Sequence, residues 1–151
     1  MIRDARPEER DLLEALQRRS SDVWSRYRGA LTEHPDAIHV PAAAIAEGRT
    51  RVAVDESGRV LGFSLVIDVT DGGGVELNGL FVEPAAMREG VGRELVEDAA
   101  TRARAVGALS LDVVAGPEAV GFYEEVGFVR EGTAETSFAE AFRLRRALSA
   151  S

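Results

Sequence analysis

Leu80 to Arg93 reads LFVEPAAMREGVGR: an apolar strand runs through Glu83-Pro84 into a glycine-punctuated turn and from there straight into an amphipathic helix. Val91, Leu95, Val96, Ala99 and Ala103 recur on one face of that helix, which places the backbone N–H groups of Arg88 to Gly92 at its open N-terminus. Such an end attracts anions. The helix dipole contributes roughly 0.3 to 1 kcal/mol per favourable charge, and bare amides add directional hydrogen bonds without any basic side chain. Gly90 and Gly92 let an oxygen approach the backbone closely, so the stretch reads as a pocket for a pyrophosphate; a plain tight turn is the other reading open to it. It is not a Walker loop, which needs Lys followed by Ser or Thr: Gly92 is followed by Arg93 and Glu94, and the chain contains no lysine. Nor is it a dinucleotide fingerprint, because the third glycine of G-x-G-x-x-G would fall at Leu95.

A second motif lies downstream. Pro117 to Phe128, PEAVGFYEEVGF, is a short helix with an aromatic pair that ends at Gly127 before a strand. A V-x-P strand, a glycine turn of the form R/Q-x-x-G-x-G/A, a helix, a strand and then A-x-x-F-Y-x-x-x-G-F together resemble the GNAT superfamily of acyl-CoA N-acyltransferases, over about residues 50 to 130. The resemblance implies an α/β (α+β) fold. Its mixed, mostly antiparallel central sheet would have six to seven strands flanked by about four helices, with a bulge and splay at the fourth strand. It further implies an acetyl-CoA cosubstrate, its pyrophosphate on Met87, Arg88, Glu89, Gly90, Val91, Gly92 and Arg93. Pantetheine would pair along Leu80, Phe81 and Val82, and Phe122 and Tyr123 would lie near the CoA sulfur. Two positions depart from the pattern: Met87 occupies the Arg/Gln place, with Arg88 one residue late, and Gly116 stands where an asparagine often precedes the second helix. The first is tolerable because main-chain amides, which any residue supplies, make most of the phosphate contacts. The second removes one pantetheine contact.

At 151 residues, the chain fits one domain with a substantial core. Within 1–151, residues 1–49 would supply an opening strand and acceptor-side helices, 50–131 the CoA-binding core and 132–151 a C-terminal element. With 45% hydrophobic and 29% charged residues it has the composition of a globule, and no apolar run approaches the roughly 20 residues of a membrane span. Arg3 and Arg6 are followed by Asp4, Glu8 and Glu9 where a secretory core would lie, so a cytoplasmic protein is expected. The absence of cysteine excludes disulfides, a cysteine nucleophile and thiolate metal sites. A net charge of −8 argues against nucleic-acid and membrane-surface partners and suits cationic acceptors, although an acidic surface also serves solubility.

Ile2 to Ala5 can form a strand, and Pro7 starts a helix with Leu12, Leu13 and Leu16 on one face. Ser21 can cap a second helix carrying Val23, Trp24, Tyr27 and Leu31, with Trp24 and Tyr27 either core or an acceptor-site wall. Strands are predicted at Arg51–Val54, Val60–Val69 and Val75–Val82, forming an antiparallel meander. In the third, the apolar set shifts from Val75 and Leu77 to Leu80 and Val82 across Asn78-Gly79, as at a bulge; an Asn-Gly hairpin turn is the competing reading. A Val91–Val106 helix, a Leu109–Val114 strand and a Glu118–Val126 helix imply a parallel crossover. Phe128–Glu131 and a segment near Phe138–Leu148, with both helical and strand character, could complete the sheet.

Acyl transfer from a thioester to an amine needs a neutral amine, a stabilised oxyanion and a proton for the departing thiolate. Presenting a lysine-like amine neutral at pH 7 costs roughly 4 to 5 kcal/mol unless something takes the proton. Glu76, whose parity opposes Val75 and Leu77, is the leading base candidate, with a solvated strand-face glutamate as the plain alternative. Asn78 is a candidate holder of water or acceptor, and Glu83 a weaker base candidate. Tyr123 suits a general acid, since a phenol stays protonated at neutral pH; from periodicity alone it would be a packing aromatic beside Phe122, and the F-Y-x-x-x-G-F context carries the acid role. The main-chain N–H of Phe81 or Val82 would serve the oxyanion, as the resemblance implies. His34 and His39 could line an acceptor pocket, and no metal is expected from two histidines without cysteine. The expected activity is acetyl transfer from acetyl-CoA to a primary amine on a small molecule or peptide, by direct attack in a ternary complex. The alternative is a non-catalytic acyl-CoA-binding module. Proteins of this family are often dimers.

Overall fold

A computed structural model of the chain describes residues 1–22, 40–67, 73–135 and 140–148. Its strands are β1 (Ile2–Asp4), β2 (Thr50–Val54), β3 (Val60–Ile67), β4 (Gly74–Val82), β5 (Ser110–Ala115), β6 (Val129–Glu135) and β7 (Glu140–Ala147). Its α-helices are α1 (Arg10–Asp22), α2 (Ala42–Ala46), α3 (Val91–Ala105) and α4 (Pro117–Glu125). The seven strands form one sheet in the order β1-β2-β3-β4-β5-β7-β6. β1–β2, β2–β3, β5–β7 and β6–β7 pair antiparallel, while β4–β5 is parallel, as the strand-helix-strand crossover requires. The chain divides into two compact units: Met1–Leu65 with Gly79–Leu95, and Val66–Asn78 with Val96–Ser151.

In the first unit, alternation along β2 sends Val52 and Val54 to one face and Ala53 to the other. On the first face they meet Leu13 and Leu16 of α1, Val40, Ile45 of α2, Val60 and Phe63. Ala53 pairs with Gly62 and Val54 with Val60, so Leu61 is an extra residue, and this bulge is why Val60 and Phe63, three apart, share a face. Leu61 turns instead to the second cluster, with Val91 and Leu95 of α3 and Ala86. Burial of Leu13 and Leu16 is complete, stabilising by about 2 kcal/mol each. Leu12, expected on the same face, is 46% exposed, because three buried positions in five residues exceed the stripe one helix face offers. Ser21 does not cap a second helix: α1 continues through it to Asp22.

β4 runs unbroken through Asn78-Gly79, so no hairpin turn forms there. Both of its apolar registers are used. Phe81, of the same parity as Val75 and Leu77, packs on the α1-side cluster with its ring 5.3 Å from that of Phe63, while Leu80 and Val82 pack with Val91 and Leu95.

In the second unit, Leu111, Val113 and Ala115 of β5 and Leu144 of β7 are buried, as are Val96, Ala99, Ala100 and Ala103 of α3 and Val120 and Tyr123 of α4. β5 begins at Ser110, one residue later than expected, and Leu109 is 69% exposed. The C-terminal segment is a strand: each residue from Ser110 to Ala115 finds a partner between Phe142 and Ala147, and this ladder overrides the segment's helical character.

Candidate active site

The turn between β4 and α3 is anchored at both ends. After β4, the Glu83 N–H donates to the Leu61 carbonyl at 2.7 Å, and the Glu83 carboxylate receives two hydrogen bonds from Arg19 of α1, at 2.8 and 2.7 Å. These bonds from Arg19, outweighing desolvation, hold the Glu83 carboxyl below its ordinary value. Buried and already ion-paired, Glu83 is a structural anion rather than a base. Pro84–Ala86 then forms a 3-10 turn with Ala86 buried, and at the far end Val91 and Leu95 fix α3 in the core.

Between these anchors the backbone turns left-handed twice, at Arg88 (φ 69°) and Gly90 (φ 87°). For a non-glycine residue such as Arg88 this costs roughly 1 to 2 kcal/mol. The Glu94 N–H donates to the Gly90 carbonyl at 3.0 Å, which makes Gly90 the cap residue of α3. No N–H from Arg88 to Arg93 finds an acceptor among the described residues. Arg88, Glu89 and Gly90 are exposed, and a Cβ placed on Gly90 would meet no atom within 4 Å. A row of unpaired donors at a helix start, facing open space, fits an anionic oxygen cluster. The side chains of Arg88, Glu89, Arg93 and Glu94 cancel in charge, which leaves the main-chain N–H groups as the unbalanced donors of this turn.

The β4–β5 ladder covers only Gly74↔Ser110, Val75↔Leu111 and Glu76↔Asp112. Beyond Glu76 the strand continues through half-buried Leu80, Phe81 and Val82.

Tyr123 is held by the end of its own helix. Gly127 (φ 101°) takes the left-handed position that closes α4, with Phe128 N–H to Tyr123 carbonyl at 3.0 Å and Gly127 N–H to Glu124 carbonyl at 3.2 Å. The Tyr123 ring stands edge-on to Phe122 (5.1 Å between centroids) and to Phe128 (5.3 Å). Burial to 7% exposure pushes the phenol pKa up, so the proton is firmly held at neutral pH. The hydroxyl has no hydrogen-bond partner among the described residues. The α4 N-terminus has no side-chain cap, since Gly116 occupies that place.

Glu76 and Asn78 do come together: the Asn78 amide donates to Glu76 Oε2 at 3.1 Å. Glu76 lines a cleft of about 170 Å³ with Asp112, Val113, Val114, Glu131, Arg143, Leu144 and Arg145. Asp112 accepts from Ser110 at 3.0 Å and from Arg145 at 2.9 and 3.4 Å, and Arg145 also lies 3.4 Å from Glu131. The bond to Asp112 raises the Arg145 pKa further. Sequence reasoning passed over Asp112, Glu131, Arg143 and Arg145. Only their strand alternation hinted at a shared face, and that requires the β5–β7 register to read. Trp24 and Tyr27, expected at the acceptor wall, lie outside the described residues, as do His34 and His39. Among the described residues no group of three His, Cys, Asp or Glu side chains could hold a metal ion, and no helix is long and apolar enough to cross a membrane.

Residues 27–140 match the acetyltransferase (GNAT) domain family model. The chain is 34% identical to the peptidyl-lysine N-acetyltransferase YjaB of Escherichia coli over 137 residues, 89% of this chain and 85% of the relative. Its Salmonella typhimurium counterpart is 32% identical over 140 residues, 89% and 86% of the two chains. The solution structure of apo YjaB from Escherichia coli superposes with a TM-score of 0.71 over 100% of this chain and 98% of that one, at 28% identity. A PaiA N-acetyltransferase from Thermoplasma acidophilum, solved with coenzyme A, shares the fold with a TM-score of 0.79 at 16% identity, over 97% and 98%. The amide row opening α3, the F-Y-x-x-x-G-F helix end and these likenesses converge: the chain belongs to the GNAT superfamily of N-acetyltransferases.

Proposed function

We propose that the chain moves an acetyl group from acetyl-CoA to a primary amine by direct attack in a ternary complex. The observation that carries this reading is the row of partnerless N–H groups from Arg88 to Arg93, with left-handed backbone at Arg88 and Gly90. It is a pyrophosphate cradle made of main chain. The end of β4 at Leu80, Phe81 and Val82 would carry the pantetheine arm, with a main-chain N–H of Phe81 or Val82 toward the thioester oxygen. The two YjaB relatives are named for peptidyl-lysine, which supports a lysine side chain as the acceptor.

In the reaction the neutral amine nitrogen attacks the thioester carbonyl, the C–S bond breaks, and the excess amine proton leaves through Glu76, directly or through water held by Asn78. Tyr123, a phenol that is protonated at neutral pH, gives its proton to the departing thiolate. With no cysteine in the chain, the acetyl group has no thiol of the protein to rest on. A calorimetric titration tests the donor half. Micromolar binding of acetyl-CoA and CoA, well above that of ADP, is expected because the pantetheine arm adds strand pairing; equal affinity for ADP would refute the assignment of β4. A silent acyl-CoA-binding module would bind acetyl-CoA without turning over any amine.

A further inference from the structure

The cleft on β4, β5, β7 and β6 is not electrically closed. Arg145 is satisfied by Asp112 and Glu131, and Asp112 also by Ser110. Two charges remain. Glu76 accepts one neutral hydrogen bond, from Asn78, and has no cationic partner among the described residues. Arg143, exposed on β7, has neither a hydrogen bond nor an ion pair among them. The register fixes their spacing. Glu76 lies opposite Asp112, Asp112 opposite Arg145, and Arg143 follows two residues along the same face, opposite Val114. Two strand spacings sideways and two residues along put the Cα atoms about 12 Å apart.

We propose that this cleft selects peptides in which the acceptor lysine has an aspartate or glutamate one or two residues away, the ammonium drawn to Glu76 and the acid to Arg143. The inference rests on the amine-acceptor reading and specifies its substrate class. Charge complementarity argues for this occupant over a purely basic peptide. The chain's net charge of −8 favours cations everywhere, so a preference for an acid beside the lysine runs against the overall field and needs a local cause. Arg143 is the one guanidinium lining the cleft that is left without a carboxylate among the described residues.

The test is kcat/KM at saturating acetyl-CoA for lysine peptides with Asp or Asn one or two residues from the lysine, using wild type, Arg143→Gln and Arg143→Glu. The exposed Arg143 can be replaced without disturbing the core, and circular dichroism with melting curves verifies this. Wild type should favour the Asp peptide about fivefold, as expected for one exposed ion pair. Arg143→Gln should abolish the preference, and Arg143→Glu should transfer it to a peptide with Arg in place of Asp. No preference in wild type, or one that survives Arg143→Gln, overturns the inference while leaving the amine-acceptor reading intact. Bound acetyl-CoA with no turnover of any peptide or small amine would overturn that reading and this inference with it.

Discussion

Between Arg88 and Arg93 the groups available to a ligand are backbone amides contiguous in sequence, whereas the cleft of Glu76, Asp112, Glu131, Arg143 and Arg145 is made of side chains from four strands. The first depends on backbone conformation, two left-handed residues and a helix start, rather than on which side chains stand at Met87 and Arg88. The second depends on which side chains the ladder register brings to one face. A single substitution can change its charge without moving the chain. A donor site of the first kind can persist while an acceptor site of the second kind diverges, which is how one fold serves many amines.

The comparison breaks most sharply at the helix end that presents Tyr123. Tyr123→Phe keeps the buried ring and its edge-on contacts and removes only the proton, so kcat should fall about 100-fold or more, with acetyl-CoA affinity unchanged. Rapid-quench kinetics beside calorimetry separate the two, and an unaltered kcat would make Tyr123 a packing residue.

Gly90→Glu tests the backbone site. It puts a carboxylate beside the amide row and forces a β-carbon onto φ 87°, two effects that together should weaken acetyl-CoA binding on the order of a hundredfold. The substituted Cβ meets no neighbour within 4 Å, so the melting temperature should fall only by the several degrees that roughly 1 to 2 kcal/mol of left-handed backbone strain costs. Undiminished affinity in a folded variant would remove the amide row from the mechanism.

The smallest effect concerns how the donor turn is held. Arg19→Gln leaves buried Glu83 without its guanidinium, and at pH 7 the loss should be about 1 kcal/mol or less, because Arg19 is half exposed. The folded Glu83 carboxyl is depressed by Arg19, so the pair's contribution is fully present above the ordinary carboxylate value and is lost as pH falls through the lower folded value. Melting curves of wild type and variant should therefore differ at pH 7 and converge in acid, once the pH has fallen through the lowered folded value of Glu83. A gap that persists in acid would assign Arg19 a packing role.

Much of the frame was legible because it is local. The glycine turn, the stripe of α3, the helix end at Gly127 and the strand runs are each written within about a dozen residues, and the structure realises them with shifts of a residue or two. Leu109 and Leu12 misled because apolar character alone does not say which face is covered. The apparent slip in β4 was ambiguous for the same reason: both of its faces are packed, so Val75 and Leu77 on one parity and Leu80 and Val82 on the other are equally apolar. The Arg19–Glu83 pair was not legible at all, its partners being 64 positions apart with nothing in either neighbourhood to single them out.

By itself, the sequence pointed to open backbone N–H groups from Arg88 to Gly92, to a short helix carrying Phe122 and Tyr123 that ends at Gly127, and to a chain with no thiol to carry an acetyl group, since each follows from neighbours along the chain. Only the tertiary structure decided that Glu83 is an ion-paired support, that Tyr123 is buried edge-on to Phe128, and that Glu76 and Arg143 line one cleft. These are properties of pairing register and desolvation, which depend on residues distant in sequence and exist only once the strands have met.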